Sequence, residues 1–267
     1  MLIASSLPAL ADDGYRLWLR YDQITDRAYL KECGQRFENV MITGDSPVMR
    51  TAGEELIAGL ESMTGRNISV VRSPEGRGLI VAGTFSSSPL IASLLPDVLP
   101  GATGEEGYII RSIRQGRRNI TVVASDGDRG VLYGAFRLLR IISTGSPVEN
   151  LSVTEKPATG LRLLNHWDNL DGTVERGYAG SSIWNWHLLP GYISPRYRDY
   201  ARANASVGIN GTVITNVNAN ALVLTPQYLA KVAALADVMR PYGIRIYLTA
   251  RFSAPQEIGN LPTSDPL

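Results

Sequence analysis

The chain is poor in the residues from which many sites are built. Of its 267 residues only Cys33 is a cysteine, so neither an intrachain disulfide nor a cysteine-based metal cluster is available, and Cys33 reads as small core filler. His166 and His187 are the only histidines, too few for a three-histidine metal site, so ordinary hydrogen-bonding roles are expected and no metal or cofactor is assigned. The 26 basic and 25 acidic residues leave a formal net charge of +1, with no Lys/Arg block, and such a chain carries no field able to hold a polyanion. Nucleic acid is therefore not an expected partner. No segment approaches the roughly 18 unbroken apolar residues of a membrane helix, so no membrane partner is expected either. The glycine fingerprints of nucleotide folds are missing as well: no G-x-G-x-x-G follows a strand, and there is no G-x-x-x-x-G-K-[ST].

What is present has the make-up of a globular protein, 44% hydrophobic and 19% charged, long enough for two modest domains. At the start, Ala9-Leu10-Ala11 before Asp12 matches the small-residue site that ends a secretory signal peptide. Residues 1–11 read as a signal-peptide remnant and the expected location is periplasmic or secreted; the missing basic n-region and short apolar part leave a cytoplasmic location open. From about Gly14 to Ile142 strands and helices mix, and residues 12–150 read as an amino-terminal α/β, sandwich-like domain. "SPVMRTAGEELIAGLESMTG" has Ser46 as N-cap, Pro47 at the first helical position, Ala52, Leu56, Leu60 and Met63 on one face and a stop at Gly65. "GYIIRSI" and "NITVVAS" flank Gln115-Gly116-Arg117-Arg118 as an antiparallel hairpin, while "NISVVRS" and "GLIVAGT" are strand-like. "DRGVLYGAFRLLRII" puts Val131, Ala135, Leu138 and Ile142 on the face of a helix that should lie against the sheet.

The Ser-, Thr-, Gly- and Pro-rich stretch 143–160 reads as a boundary, placed at 150/151. Beyond it, "GLRLLNHW", "SPRYRDYARANASVG", "GTVITNVN", "TPQYLAKVAALADVMRPYG" and "IRIYLTARFS" alternate strand and helix in βαβαβ order, which means a parallel sheet. Without nucleotide fingerprints the eight-stranded barrel is favoured over the doubly wound alternative. A complete barrel typically takes about 250 residues. Residues 151–267 therefore read as the first three strands of an incomplete (β/α)8 TIM barrel, and the chain as a fragment or truncated reading frame.

In either parallel architecture ligands meet the C-terminal ends of the strands. There stand His166, Trp167 and Asp168, then Asn216, Asn218 and Asn220, then Arg251. An indole face, amide donors and acceptors and one guanidinium suit sugar hydroxyls and a carboxylate. Each has a plainer reading: a tryptophan just after a strand is more often core, adjacent Glu175 and Arg176 are usually solvated, and Asp171-Gly172 is a turn.

The motif "NHWDNLDGTVERGYAGSSIW" resembles the start of the catalytic barrel in family 67 glycoside hydrolases, the xylan α-glucuronidases, and "DDGYRLWLRYD" with "DRGVLYGAFRLLRII" resembles that family's amino-terminal domain. The resemblance implies removal of 4-O-methyl-D-glucuronic acid, α-1,2-linked to xylose in xylooligosaccharides, with inversion and without cofactor. Those saccharides are the partners it implies, with a homodimer for the full-length protein. It implies Trp167 as a wall of the uronic acid pocket, Glu175 and Arg176 as polar contacts and Asp168 as contact or support, with Asn216 and Arg251 added on strand-end position. The acid and base it implies fall after later strands, so no catalytic residue is assigned here. Asp168, Asp171 and Glu175 leave one strand end together, whereas opposed catalytic groups come from different strands. Three readings stay open: the amino-terminal part of such an enzyme, a non-catalytic carbohydrate-binding remnant, and a scaffold without ligand.

Overall fold

A computed structural model describes residues 12–262, so the remnant read at residues 1–11 lies outside the described residues. After a first helix, α1 at Arg27–Arg36, and strand β1 at Asn39–Thr43, the expected caps set helix α2, Pro47–Thr64. Ser46 is extended and its hydroxyl accepts the Met49 N–H at 3.2 Å, and Gly65 ends the helix at φ 65°, a left-handed turn that glycine adopts without a Cβ penalty. Ala52, Leu56, Leu60 and Met63 are all fully buried.

Strands β2 (Ser69–Val70) and β3 (Gly78–Thr84), helix α3 (Pro89–Leu94), strands β4 (Tyr108–Gln115) and β5 (Arg118–Ser125), helix α4 (Asp128–Ser143) and strand β6 (Ser152–Glu155) complete the first unit. Its six-stranded sheet runs β2-β1-β3-β5-β4-β6. The first four are mutually parallel, while β4 runs antiparallel to both β5, through the expected hairpin, and β6. Strand β6 lies in the stretch read as linker, so the sheet extends past the division expected at 150/151. The central strand β3 is buried along its whole length because it feeds two cores. Ile80 and Ala82 join α1, α2 and α4 on one face; Leu79 and Val81 join α3 on the other. Gly134 lets α4 approach the sheet, since a Cβ there would meet Val123 Cγ1 at 2.7 Å.

The second sheet is β7 (Leu163–Asn165), β8 (Gly211–Val213) and β9 (Arg245–Tyr247), parallel and in chain order. Helices α5 (Pro195–Ala205) and α6 (Pro226–Met239) form the two crossovers, and α7 (Ala254–Gly259) follows β9. The strands are shorter than the sequence pattern implies. The larger of the two buried apolar clusters runs from Leu19 to Ile244, crossing from the first sheet's helices to Trp184, Tyr197 and Leu235.

Polar contacts tie the same junction. Glu106 receives Arg162 Nη2 at 2.7 Å and Asn210 Nδ2 at 3.0 Å and pairs with Arg129 at 3.2 Å. Burial alone would raise its carboxyl, but the Asn210 and Arg162 hydrogen bonds and the Arg129 charge hold it below the usual carboxylate range. On the other side Arg202 grips buried Glu55 with two hydrogen bonds, at 2.5 and 3.0 Å, and lies over the Tyr21 ring. Among the described residues no helix is long and apolar enough to cross a membrane.

Candidate functional site

Strand β7 ends at Asn165, and the chain then doubles back on itself through bridges pairing Asp168 with Val174 and Thr173 with Ser181. Asp171 makes the turn: it accepts the Thr173 N–H at 2.9 Å and hydroxyl at 2.7 Å, which hold its carboxyl below the usual range. That matches the turn read from Asp171-Gly172. Asn169 braces the loop by donating to Thr173 Oγ1 and to the Glu175 carbonyl at 2.7 Å.

The fold brings four of the six sequence-expected residues together. The Trp167 carbonyl accepts the Glu175 N–H at 2.8 Å and Asn216 Nδ2 at 3.4 Å, and the Asn216 N–H donates to the Asp168 carbonyl at 2.8 Å. Trp167, Asp168, Glu175 and Asn216 thus share one hydrogen-bonded corner between the exits of β7 and β8. The Trp167 indole is not core: the residue is 48% exposed, whereas Trp184 and Trp186 nearby are 1% exposed. Asp168 is buried, its Oδ2 accepting the Ser182 hydroxyl at 2.5 Å and its Oδ1 lying 3.7 Å from His166 Nδ1. Asn216 is buried too, its side-chain oxygen accepting the Asn218 N–H and its carbonyl the Thr249 hydroxyl.

Glu175 is unusual twice over. Its backbone is left-handed at φ 56°, a conformation that costs a non-glycine residue roughly 1–2 kcal/mol. Its Oε2 is buried with no hydrogen-bond partner, so one lone-pair-bearing oxygen is left to be satisfied by something else. Arg176 stands apart, its side chain 88% exposed and 3.9 Å from Glu175 Oε1. Arg251, at the exit of β9, is engaged locally: its Nε donates to Ser253 Oγ at 2.9 Å and lies 3.0 Å from Glu257 Oε1.

Behind the corner lies a cluster that sequence reading did not assign. The Tyr200 hydroxyl, from α5, is 2.7 Å from His166 Nε2 and 2.9 Å from Thr212 Oγ1 on β8, and burial pushes its phenol up. Trp184 packs against His166, Tyr197 and Tyr200 with ring centroids 5.3–5.4 Å apart. The periodicity of α5 could have pointed to Tyr197 and Tyr200, whereas Trp184, though it closes the motif that carries the family resemblance, lies in a loop without the periodicity that would mark it as buried. Among the described residues no group of three or more His, Cys, Asp or Glu could hold a metal.

Comparison with known proteins decides the family. The glycosyl hydrolase family 67 N-terminus matches residues 17–138, and the glycosyl hydrolase family 67 middle domain matches residues 141–267. The chain belongs to glycosyl hydrolase family 67. Among its relatives are a probable alpha-glucuronidase A of Aspergillus oryzae, 35% identical over 263 residues, covering 96% of this chain and 30% of the relative, and the alpha-glucuronidase A of Emericella nidulans, 32% identical over 270 residues, covering 97% and 31%. The family 67 chain thus spans about a third of the length of these curated relatives. Its fold is similar to solved glycoside hydrolases. A family GH115 4-O-methyl-alpha-glucuronidase with specificity for decorated arabinogalactans aligns at a TM-score of 0.51 with 17% identity, over 78% of this chain and 28% of that one. A GH138 enzyme targeting pectin rhamnogalacturonan II aligns at 0.52 with 18% identity, over 79% and 24%.

Proposed function

We propose that this family 67 chain is the amino-terminal part of a xylan α-glucuronidase and supplies one wall of its uronic acid site. The reaction is the inverting hydrolysis of the α-1,2 bond between 4-O-methyl-D-glucuronic acid and xylose in xylooligosaccharides. The three parallel strands, in chain order with a helix in each crossover, are the beginning of a (β/α)8 barrel on this reading, with the site at their C-terminal ends.

The observation that carries the reading is the half-exposed Trp167 indole on a corner fixed by Glu175 and Asn216. An aromatic face held rigid beside polar groups stacks on the apolar face of a sugar ring and loses little entropy in doing so. Glu175 Oε2 is buried and unpartnered in the free chain, so it accepts a sugar hydroxyl by turning the carboxylate outward beside the indole. Asp168, whose Oδ2 accepts from Ser182, and Asn216, whose amide is engaged through both its nitrogen and its oxygen, hold the corner and do not react. Arg176 is the cation free to swing toward the uronate, whereas Arg251 must release Glu257 to do so.

Inversion needs a protonated carboxyl and a second, basic carboxylate about 6.5–9.5 Å apart on opposite sides of the scissile bond. Asp168 is committed to Ser182 and Asp171 to Thr173, which supports placing the acid and base in the part of the relatives' length that this chain does not span. The test is release of 4-O-methylglucuronic acid from an aldouronic acid by the 267-residue chain and by a version extended to the length of its relatives. Activity in the extended version alone is expected. Turnover by the short chain would overturn the assignment and make Asp168, Asp171 and Glu175 the suspects. Saccharide binding that Trp167→Ala weakens, with no turnover by either version, would favour a carbohydrate-binding remnant.

A further inference from the structure

Trp167 projects from the wall between two residues that do not. Its neighbours His166 and Asp168 have side chains only 19% and 5% exposed, while the indole between them stands half in the open. The backbone here is extended: the His166 N–H donates to the Val213 carbonyl at 2.9 Å, continuing the β7 ladder past Asn165, and Asp168 pairs with Val174. Side chains alternate across extended backbone, so whatever fixes residues 166 and 168 also sets the direction of 167.

Both neighbours are anchored. Asp168 accepts the Ser182 hydroxyl, and Ser182 Oγ in turn accepts the Trp184 N–H at 3.0 Å, which brings the Trp184 ring to 5.4 Å from the His166 imidazole. His166 Nδ1 lies 3.7 Å from Asp168 Oδ1, beyond hydrogen-bond reach, so the imidazole's short polar contact is the one from Nε2 to the Tyr200 hydroxyl at 2.7 Å. That hydroxyl also meets Thr212 Oγ1, on a residue with no exposed surface, at 2.9 Å. Burial pushes the Tyr200 phenol up, so it keeps the proton that these contacts need.

We infer that His166 and Tyr200 are positioning residues: the Tyr200 hydroxyl, braced by α5 and β8, fixes the imidazole and thereby aims the Trp167 indole at the sugar. Both act through Trp167 and neither contacts the saccharide. That the target is a uronic acid rests on the proposed α-glucuronidase function, whereas the aiming is a property of the free chain. The gain is preorganisation, since an indole already held in one direction loses less freedom when a sugar stacks on it.

The 267-residue chain is labelled with 5-fluorotryptophan, one fluorine resonance for each of its four tryptophans, and the Trp167 signal is assigned by its loss in Trp167→Phe. Tyr200→Phe removes only the hydroxyl, His166→Asn keeps an amide at the Nδ1 position alone, and His166→Gln keeps one where Nε2 meets Tyr200. The Trp167 resonance is expected to shift and broaden in Tyr200→Phe and His166→Asn and to stay near its native position in His166→Gln. Aldouronic acid affinity, by calorimetry, is expected to fall about fivefold in the first two and less than about twofold in the third. A purely structural role would lower the denaturation midpoint of all three and leave the Trp167 signal of the folded chain where it is. An unmoved Trp167 resonance in Tyr200→Phe overturns the proposal whether or not saccharide binds, and so does an affinity that stays unchanged while the resonance moves. A resonance that moves as expected in a chain that binds no aldouronic acid would support the positioning and overturn the uronic acid reading instead.

Discussion

Two tryptophans in one loop region are expected to behave as opposites under the same substitution. Trp184 is fully buried among His166, Tyr197 and Tyr200, so Trp184→Ala should cost about 3–5 kcal/mol, read from urea unfolding. Trp167 is half exposed, and Trp167→Ala should change stability by no more than about 0.5 kcal/mol while weakening aldouronic acid binding about tenfold, roughly 1.4 kcal/mol by calorimetry. A large stability loss at Trp167 would return it to the core. Glu175 offers a sharper test because its strain and its proposed role separate. Glycine removes the left-handed penalty, so Glu175→Gly should raise stability by about 1 kcal/mol, yet it deletes the unpaired Oε2 and should weaken the same binding. Strain retained at a residue whose removal both stabilises and impairs belongs to a functional position.

At the scale of elements, the legible parts were those whose signals are local. Helix α2 announced itself through Ser46, Pro47 and Gly65, and α4 through a 3.6-residue apolar period, so caps and faces could be named from sequence. Helix α1 escaped because its faces are polar; the one available sign was Asp26, whose carboxylate accepts the Ala28 and Tyr29 N–H groups. Strand β6 escaped because it is four residues long inside a turn-rich stretch and acquires its strand character only by pairing with β4. The candidate site was legible as a set of residue types at strand exits, but the doubling-back that joins Trp167 to Glu175 is a non-periodic loop, and the Arg251 ion pair depends on where α7 starts. Local signals also give local tests. Ser46→Ala should cost about 1 kcal/mol, as loss of an N-cap does, and Gly134→Ala about 1–3 kcal/mol by levering α4 off Val123 and Tyr108. Both are measured by the shift in denaturation midpoint, and an unchanged midpoint for Gly134→Ala would mean the helix has slack against the sheet.

For the whole molecule the junction decides how the two units behave together. The buried cluster continues from the first sheet's helices into the second unit, so unfolding should be a single cooperative transition by both fluorescence and circular dichroism. The polar side of the junction makes that transition sensitive to acid. Glu106 is held below the usual carboxylate range in the folded chain, whereas in the unfolded chain it titrates near 4.3. The unfolded state therefore takes up its proton first as pH falls. The stability Glu106 contributes is complete above the ordinary carboxylate range and disappears as pH drops through its lowered folded value. Glu106→Gln should then cost about 3 kcal/mol at pH 7, because Arg162 and Arg129 are left partly buried without their counter-charge. It should cost progressively less at lower pH, where the native carboxylate also protonates and the two chains converge. Urea titrations of both chains at a series of pH values from 7 to 3 check this. A loss that stays constant with pH would mean that Glu106 serves the junction through packing and neutral hydrogen bonds, and that its charge contributes nothing to holding the units together.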